Sequence, residues 1–153
     1  MGRAIRSMVI VTLAVLVAGA VVPASAGAAA VAKPLDACTL LTQAELQEIV
    51  GSPVSSPNPS ASDALSCGFE YGDGLGGARG GVLVLQLWKG KLGKNIYRAA
   101  KKTDEPVGDV YWNAKTGIAT GREDRVTINA SLTGPGDHRD VAVMLVEAVA
   151  AEL

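Results

Sequence analysis

Three carboxylates crowd one short stretch of the chain. Asp104, Glu105 and Asp109 flank Pro106, and two acids held at unequal pKa could divide general acid and general base work in a hydrolysis. Raising one of them would take an apolar pocket or a second charge close by, and the flanking residues do not spell out such a pocket. A solvated turn is the plainer reading, with a small secreted hydrolase as the alternative. Other chemistry is thinner. His138 is the single histidine, which leaves no histidine-rich metal site, and its setting in Gly136-Asp137-His138-Arg139-Asp140 reads as an exposed first turn rather than part of a Ser-His-Asp triad. No G-x-S-x-G elbow occurs. Gly72, Gly74 and Gly77 have G-x-G-x-x-G spacing, but a valine-leucine strand follows them instead of a helix N-terminus whose free N–H groups could meet a pyrophosphate. No cofactor is expected.

A second pattern would bind rather than react. Lys89, Lys91, Lys94, Arg98, Lys101 and Lys102 place six positive charges in fourteen residues of an otherwise acidic chain. Leu92, Ile96, Ala99 and Ala100 recur among them near helical spacing, which predicts an amphipathic helix over about 93–102. Lys94, Arg98 and Lys101 then share one outward face. That face is either solvated or a contact for an anionic polymer or phospholipid head group, with Trp88 and Tyr97 as aromatic neighbours.

The elements that must position these residues are organised around Cys38 and Cys67, the only cysteines. Thr42 and Glu45 have capping-box spacing, Leu41 and Leu46 can form the hydrophobic staple, and Gly51 can stop the helix, so a helix is predicted over about 43–50. Cys67-Gly68-Phe69-Glu70-Tyr71 alternates as a half-buried strand does. Arg3 and Arg6 precede an apolar run from Met8 to Val22, and Pro23-Ala24-Ser25-Ala26 supplies small residues for signal peptidase. Residues 1–26 therefore read as a secretory signal, and 27–35 as a disordered lead-in. An uncleaved N-terminal anchor is the alternative. In an oxidising compartment the two cysteines are expected to bridge, since nothing here has metal-ligand spacing.

Removing residues 1–26 takes two arginines and no acid, so the formal charge moves from −1 to −3 over the remaining 127 residues. That length holds one domain, 36–153, and the mild acidity argues against a nucleic-acid partner. Prolines 53, 57 and 59 make 52–62 a loop, and 72–81 a glycine-rich connection inside a hairpin whose second strand is Val82–Trp88. Val107–Trp112 reads as a strand start, 114–117 as a turn, 118–121 as a short strand, 122–125 as a charged turn and 126–132 as a strand. Asp137, with Asp140 at N3, can cap a last helix whose apolar stripe is Val141, Met144, Leu145, Ala148 and Val149, with Glu147 pointing away. Asn129-Ala130-Ser131 fits the glycosylation sequon but falls in mid-strand and reads as chance. The fold class is therefore α+β, an antiparallel sheet of about five strands with helices packed on it, in the order α-β-β-α-β-β-β-α.

The export signal, C-x-L-L-T-x-x-E-L at 38–46, Gly51, C-G-F at 67–69, G-D-V-Y-W at 108–112 and the terminal amphipathic helix together resemble the actinobacterial secreted and lipoprotein family known as domain of unknown function 3558. The resemblance implies an extracytoplasmic α+β domain with a bridged cysteine pair, kin to cell-envelope lipoproteins and sensor domains. It supplies no activity. Family members commonly carry a lipidated cysteine after the signal and a tryptophan two residues beyond the second structural cysteine, whereas this chain lacks a lipobox and has Phe69 at that place. The expected function is that of a monomeric, non-catalytic binding or sensor-like module of the cell envelope. Its partner would be an anionic envelope polymer or lipid head group on 89–102, or an envelope protein on the sheet.

Overall fold

The computed structural model describes residues 34–59, 65–72 and 80–153. The expected secretory signal, the expected lead-in up to residue 33, the far part of the proline-rich loop and the middle of the glycine-rich connection lie outside the described residues. Helix α1 (Gln43–Val50) starts as its sequence requires. Thr42 N–H donates to Glu45 Oε2 at 2.7 Å and Glu45 N–H to Thr42 Oγ1 at 3.3 Å, closing the capping box. Gly51 ends the helix in the left-handed region, at φ 70°. Leu41 and Leu46 are both buried, and the Gln43 side chain donates to the Val54 carbonyl, which ties α1 to the loop beyond it.

Seven strands make one antiparallel sheet: β1 (Asn58–Pro59), β2 (Ser66–Tyr71), β3 (Gly81–Lys89), β4 (Glu105–Val107), β5 (Val110–Asn113), β6 (Ile118–Glu123) and β7 (Val126–Thr133), in the order β1-β2-β3-β7-β6-β5-β4. Helix α2 (Gly90–Thr103) follows β3 and α3 (Arg139–Ala151) follows β7. Setting aside β1 and β4, the order is the expected α-β-β-α-β-β-β-α. Both additional strands are short edges containing a proline, Pro59 and Pro106. A missing N–H is tolerated there because an edge strand need not donate on its outer side, and such strands have no hydrophobic alternation to announce them.

Register sorts the side chains. Leu83, Leu85 and Leu87 lie opposite Leu132, Ala130 and Ile128, and Cys67 and Phe69 lie opposite Leu85 and Leu83. All are buried on one face, with α3 over β5, β6 and β7 and α1 against α3. The other face carries Val82, Val84, Gln86 and Trp88 beside Thr133, Ser131, Asn129 and Thr127, and α2 covers its Trp88 end. Cys38 and Cys67 are bridged, Cα–Cα 5.2 Å, as expected. Lys33–Leu153 forms one compact unit.

Five local expectations change. Val107–Trp112 is not one strand but a β4–β5 hairpin turning at Gly108-Asp109, where Gly108 has φ 61°. Strand β6 runs to Glu123, so the charged turn shrinks to Asp124-Arg125. Helix α2 begins at Gly90, three residues before the expected start. In α3 the buried residues are Ala142, Val143, Leu145, Val146 and Val149, while Met144 is 43% exposed. That helix is apolar around most of its circumference, so periodicity did not single out the inward face. Its N-cap is His138, without a side-chain cap, and Asp137 instead accepts from Arg139 N–H at 3.1 Å.

Candidate functional site

Helix α2 lies on the sheet through small groups. A Cβ on Gly93 would come within 2.3 Å of the Trp88 carbonyl oxygen, so only glycine lets the helix axis come this close. Thr127 Oγ1 donates to the Gly93 carbonyl at 2.9 Å, and Gly93 and Ala100 are buried against the sheet. At about 100° per residue, this seat fixes where every other α2 side chain points. Lys101, Lys94, Arg98, Lys91 and Lys102 then fall within an arc of roughly 100° on one flank. All five are exposed. Lys89, also exposed, precedes the helix at its N-cap position.

Among the described residues no counter-ion meets this stripe. The ion pairs among the described residues join Arg139 to Glu105 and to Asp140, and none involves an α2 cation. Residues 89–103 contain no acid. The placement does not serve the helix. Lys101 and Lys102 in the last turn suit the macrodipole, but Lys89 and Lys91 at the other end oppose it. Lys91–Lys94, Lys94–Arg98, Arg98–Lys101 and Arg98–Lys102 are like-charge neighbours at helical spacing. Each such pair destabilises by about 0.2–0.5 kcal/mol, so the stripe costs about 1–2 kcal/mol in all.

Trp88 and Tyr97 are more covered than the cations near them in sequence. Both are half-buried in the seat of α2. The Trp88 indole N–H is covered and has no acceptor among the described residues. Tyr97 meets Tyr111 edge to face, ring centroids 5.6 Å apart. Burial, then the neighbouring Tyr111 and Asp109, push the Tyr97 hydroxyl above its ordinary pKa. These aromatics hold the helix down and leave the cations to face solvent.

Asp104 and Glu105 are engaged by different partners. Asp104 ends α2, where its Oδ1 accepts from Asn113 Nδ2 at 2.8 Å and Thr103 Oγ1 at 2.7 Å. Glu105 is bonded to Arg139, at the start of α3 on the opposite side of the sheet. Extended backbone sends successive side chains to opposite faces, which separates these neighbours although both residues line one 310 Å³ crevice. Asp109 is exposed in the β4–β5 turn. His138 Nε2 lies 3.0 Å from the Gly134 carbonyl, with its ring edge-on to Tyr71. Among the described residues no three His, Cys, Asp or Glu side chains converge as metal ligands.

Sequence reasoning missed the opposite pole of the molecule. Glu45 and Glu48 on α1, and Asp140, Glu147 and Glu152 on or beside α3, all lie beyond the other face of the sheet and are exposed. Neither helix carries a lysine, a compositional signal as plain as the one on 89–102 but divided between two distant segments. Neither a scan against protein-family models nor searches of curated proteins and of solved structures return a match for this chain.

Proposed function

We propose that the protein is an extracytoplasmic, non-catalytic binding module that docks on an anionic component of the cell envelope through α2. One observation carries this reading: five exposed cations share one flank of a helix that they destabilise, with no ion pair among the described residues. An anionic surface would remove that repulsion and collect the counterion-release and Coulomb terms available to clustered charge. The Cys38–Cys67 bridge suits an oxidising compartment. No helix among the described residues is long and apolar enough to cross a membrane. We read residues 1–26 as a cleaved export signal, and the motifs at 38–46, 67–69 and 108–112 as those of a divergent relative of domain of unknown function 3558.

The test is co-sedimentation with isolated cell-envelope material and with phosphatidylglycerol vesicles, at low and high salt, beside a Lys94→Gln/Arg98→Gln/Lys101→Gln variant. Retention that fades with salt and in the variant supports the reading, because exposed charges are screened beyond a Debye length of about 10 Å at 0.1 M. Equal retention of both proteins, or none of either, overturns it. Binding to envelope but not to vesicles would identify a polymer in place of lipid head groups.

A further inference from the structure

The sheet holds charge of opposite sign on its two sides, and the acidic side has a groove in it. Helices α1 and α3 pack together around a 250 Å³ groove with Leu41, Ile49, Ala148 and Ala151 in its walls and Glu45, Glu48 and Glu152 at its rim. Helical spacing continues the apolar line along α3 through Met144 to Val141. Met144 is 43% exposed, one of three large apolar side chains so exposed among the described residues. Asp140 and Glu147, both exposed, flank the far side of that line. Arg139 is the one cation on either helix, and it is engaged by Glu105 and by Asp140.

Glu45 and Asp140 stand in first turns, where they suit the helix dipole, but two of the other acids are as poorly placed as Lys89 and Lys91. Glu48 stands in the last turn of α1 and Glu152 at the C-cap of α3, where the helix dipole disfavours negative charge. Glu45 and Glu48 repel each other at helical spacing. An apolar line fringed by exposed carboxylates, of which only Asp140 has a cation beside it among the described residues, is the complement of a helix that carries lysine or arginine on both sides of an apolar ridge. We propose that the α1–α3 groove is a docking site for a cationic amphipathic helix of a partner protein. Met144 and Ile49 receive the ridge, and the five carboxylates receive its flanking charges. The site lies across the sheet from α2 and is independent of what α2 binds.

The test is titration of the 15N-labelled protein with a synthetic amidated peptide of repeated Lys-Leu-Leu-Lys-Lys-Leu-Leu heptads, read by amide chemical shifts. Saturable shifts confined to α1 and α3 are expected. They should weaken about tenfold in Met144→Asp, and similarly in Glu45→Gln/Glu48→Gln. The Lys94→Gln/Arg98→Gln/Lys101→Gln variant, which disables the α2 stripe, should bind the peptide as the parent does. Thermal unfolding of each variant confirms that it is folded. Shifts elsewhere, or shifts indifferent to Met144→Asp, would overturn the site as merely electrostatic. Concentration-dependent self-association without peptide would place a second copy in the groove and overturn the partner assignment.

Discussion

Thr127 and Gly93, thirty-four residues apart, are joined by a buried 2.9 Å hydrogen bond from the threonine hydroxyl to the glycine carbonyl. It links the central strand β7 to the helix that bears the basic stripe. Gly93→Ala would drive a methyl group to 2.3 Å from backbone oxygen of Trp88, an atom that cannot swing aside. Overpacking of this kind costs about 1–3 kcal/mol. Thr127→Val loses one hydrogen bond, about 1 kcal/mol. Urea unfolding should show both decreases, with the glycine variant lower. A Gly93→Ala midpoint equal to the parent's would mean that α2 is not seated as described.

The capping box predicts a response to acid. The Thr42 backbone N–H, then its hydroxyl, hold the Glu45 carboxyl below its ordinary value of 4.5. A depressed folded-state pKa contributes stability that is present above the unfolded value and lost as pH falls through the folded one. Glu45→Gln keeps a hydrogen-bonding partner at N3 but does not titrate. Its stability should match the parent's more closely as pH drops from 5 towards 3, as the parent loses the carboxylate. Thr42→Ala should cost about 1 kcal/mol at neutral pH. Chemical denaturation across that pH range measures both, and a gap between Glu45→Gln and the parent that widens on acidification contradicts the linkage.

What could be read from sequence follows physical range. The α1 boundaries were legible because Thr42, Glu45 and Gly51 act within a few residues of one another. Strands β2, β3 and β7 were legible because one buried face imposes alternation. Pro59 and Pro106 sit in edge strands that obey no such pattern, and α3 is too uniformly apolar to show which side faces inward. The basic stripe was legible as six charges in one segment. Its acidic counterpart was not, because Glu45 and Glu152 come together only through packing of the two ends of the domain. The separation of Asp104 from Glu105 depends on where α2 stops and β4 begins, a boundary that propensity does not fix.

The Cys38–Cys67 bridge closes a loop of sequence separation 29 that contains α1 and β1. Chain entropy alone gives about 3.6 kcal/mol for such a loop, an upper figure for a native bridge. Cys67 is fully buried, so Cys38→Ala/Cys67→Ala also loses packing. The double variant should unfold several degrees lower, with α1 first, since β3 and β7 are held together independently of the loop. Hydrogen exchange measures this directly: selective loss of protection in 43–50 is expected, and uniform loss across β7 would show instead that the bridge supports the whole core.

The basic stripe yields a prediction of opposite signs for stability and binding. Lys94→Gln/Arg98→Gln/Lys101→Gln removes all four like-charge neighbour pairs of α2, and glutamine is about as good a helix former as the residues it replaces. If the cations serve only the fold, their loss leaves stability unchanged or lowers it. If they are held in place for an anionic ligand, the triple variant should be more stable than the parent, by about 1 kcal/mol at low ionic strength. That gain should shrink as salt screens the parent's repulsion, while retention on anionic envelope material or vesicles is lost. Urea midpoints at two salt concentrations, taken beside the sedimentation assay, decide between the two. A variant both less stable and equally well retained would make the stripe a structural feature of α2 and leave envelope binding to another face.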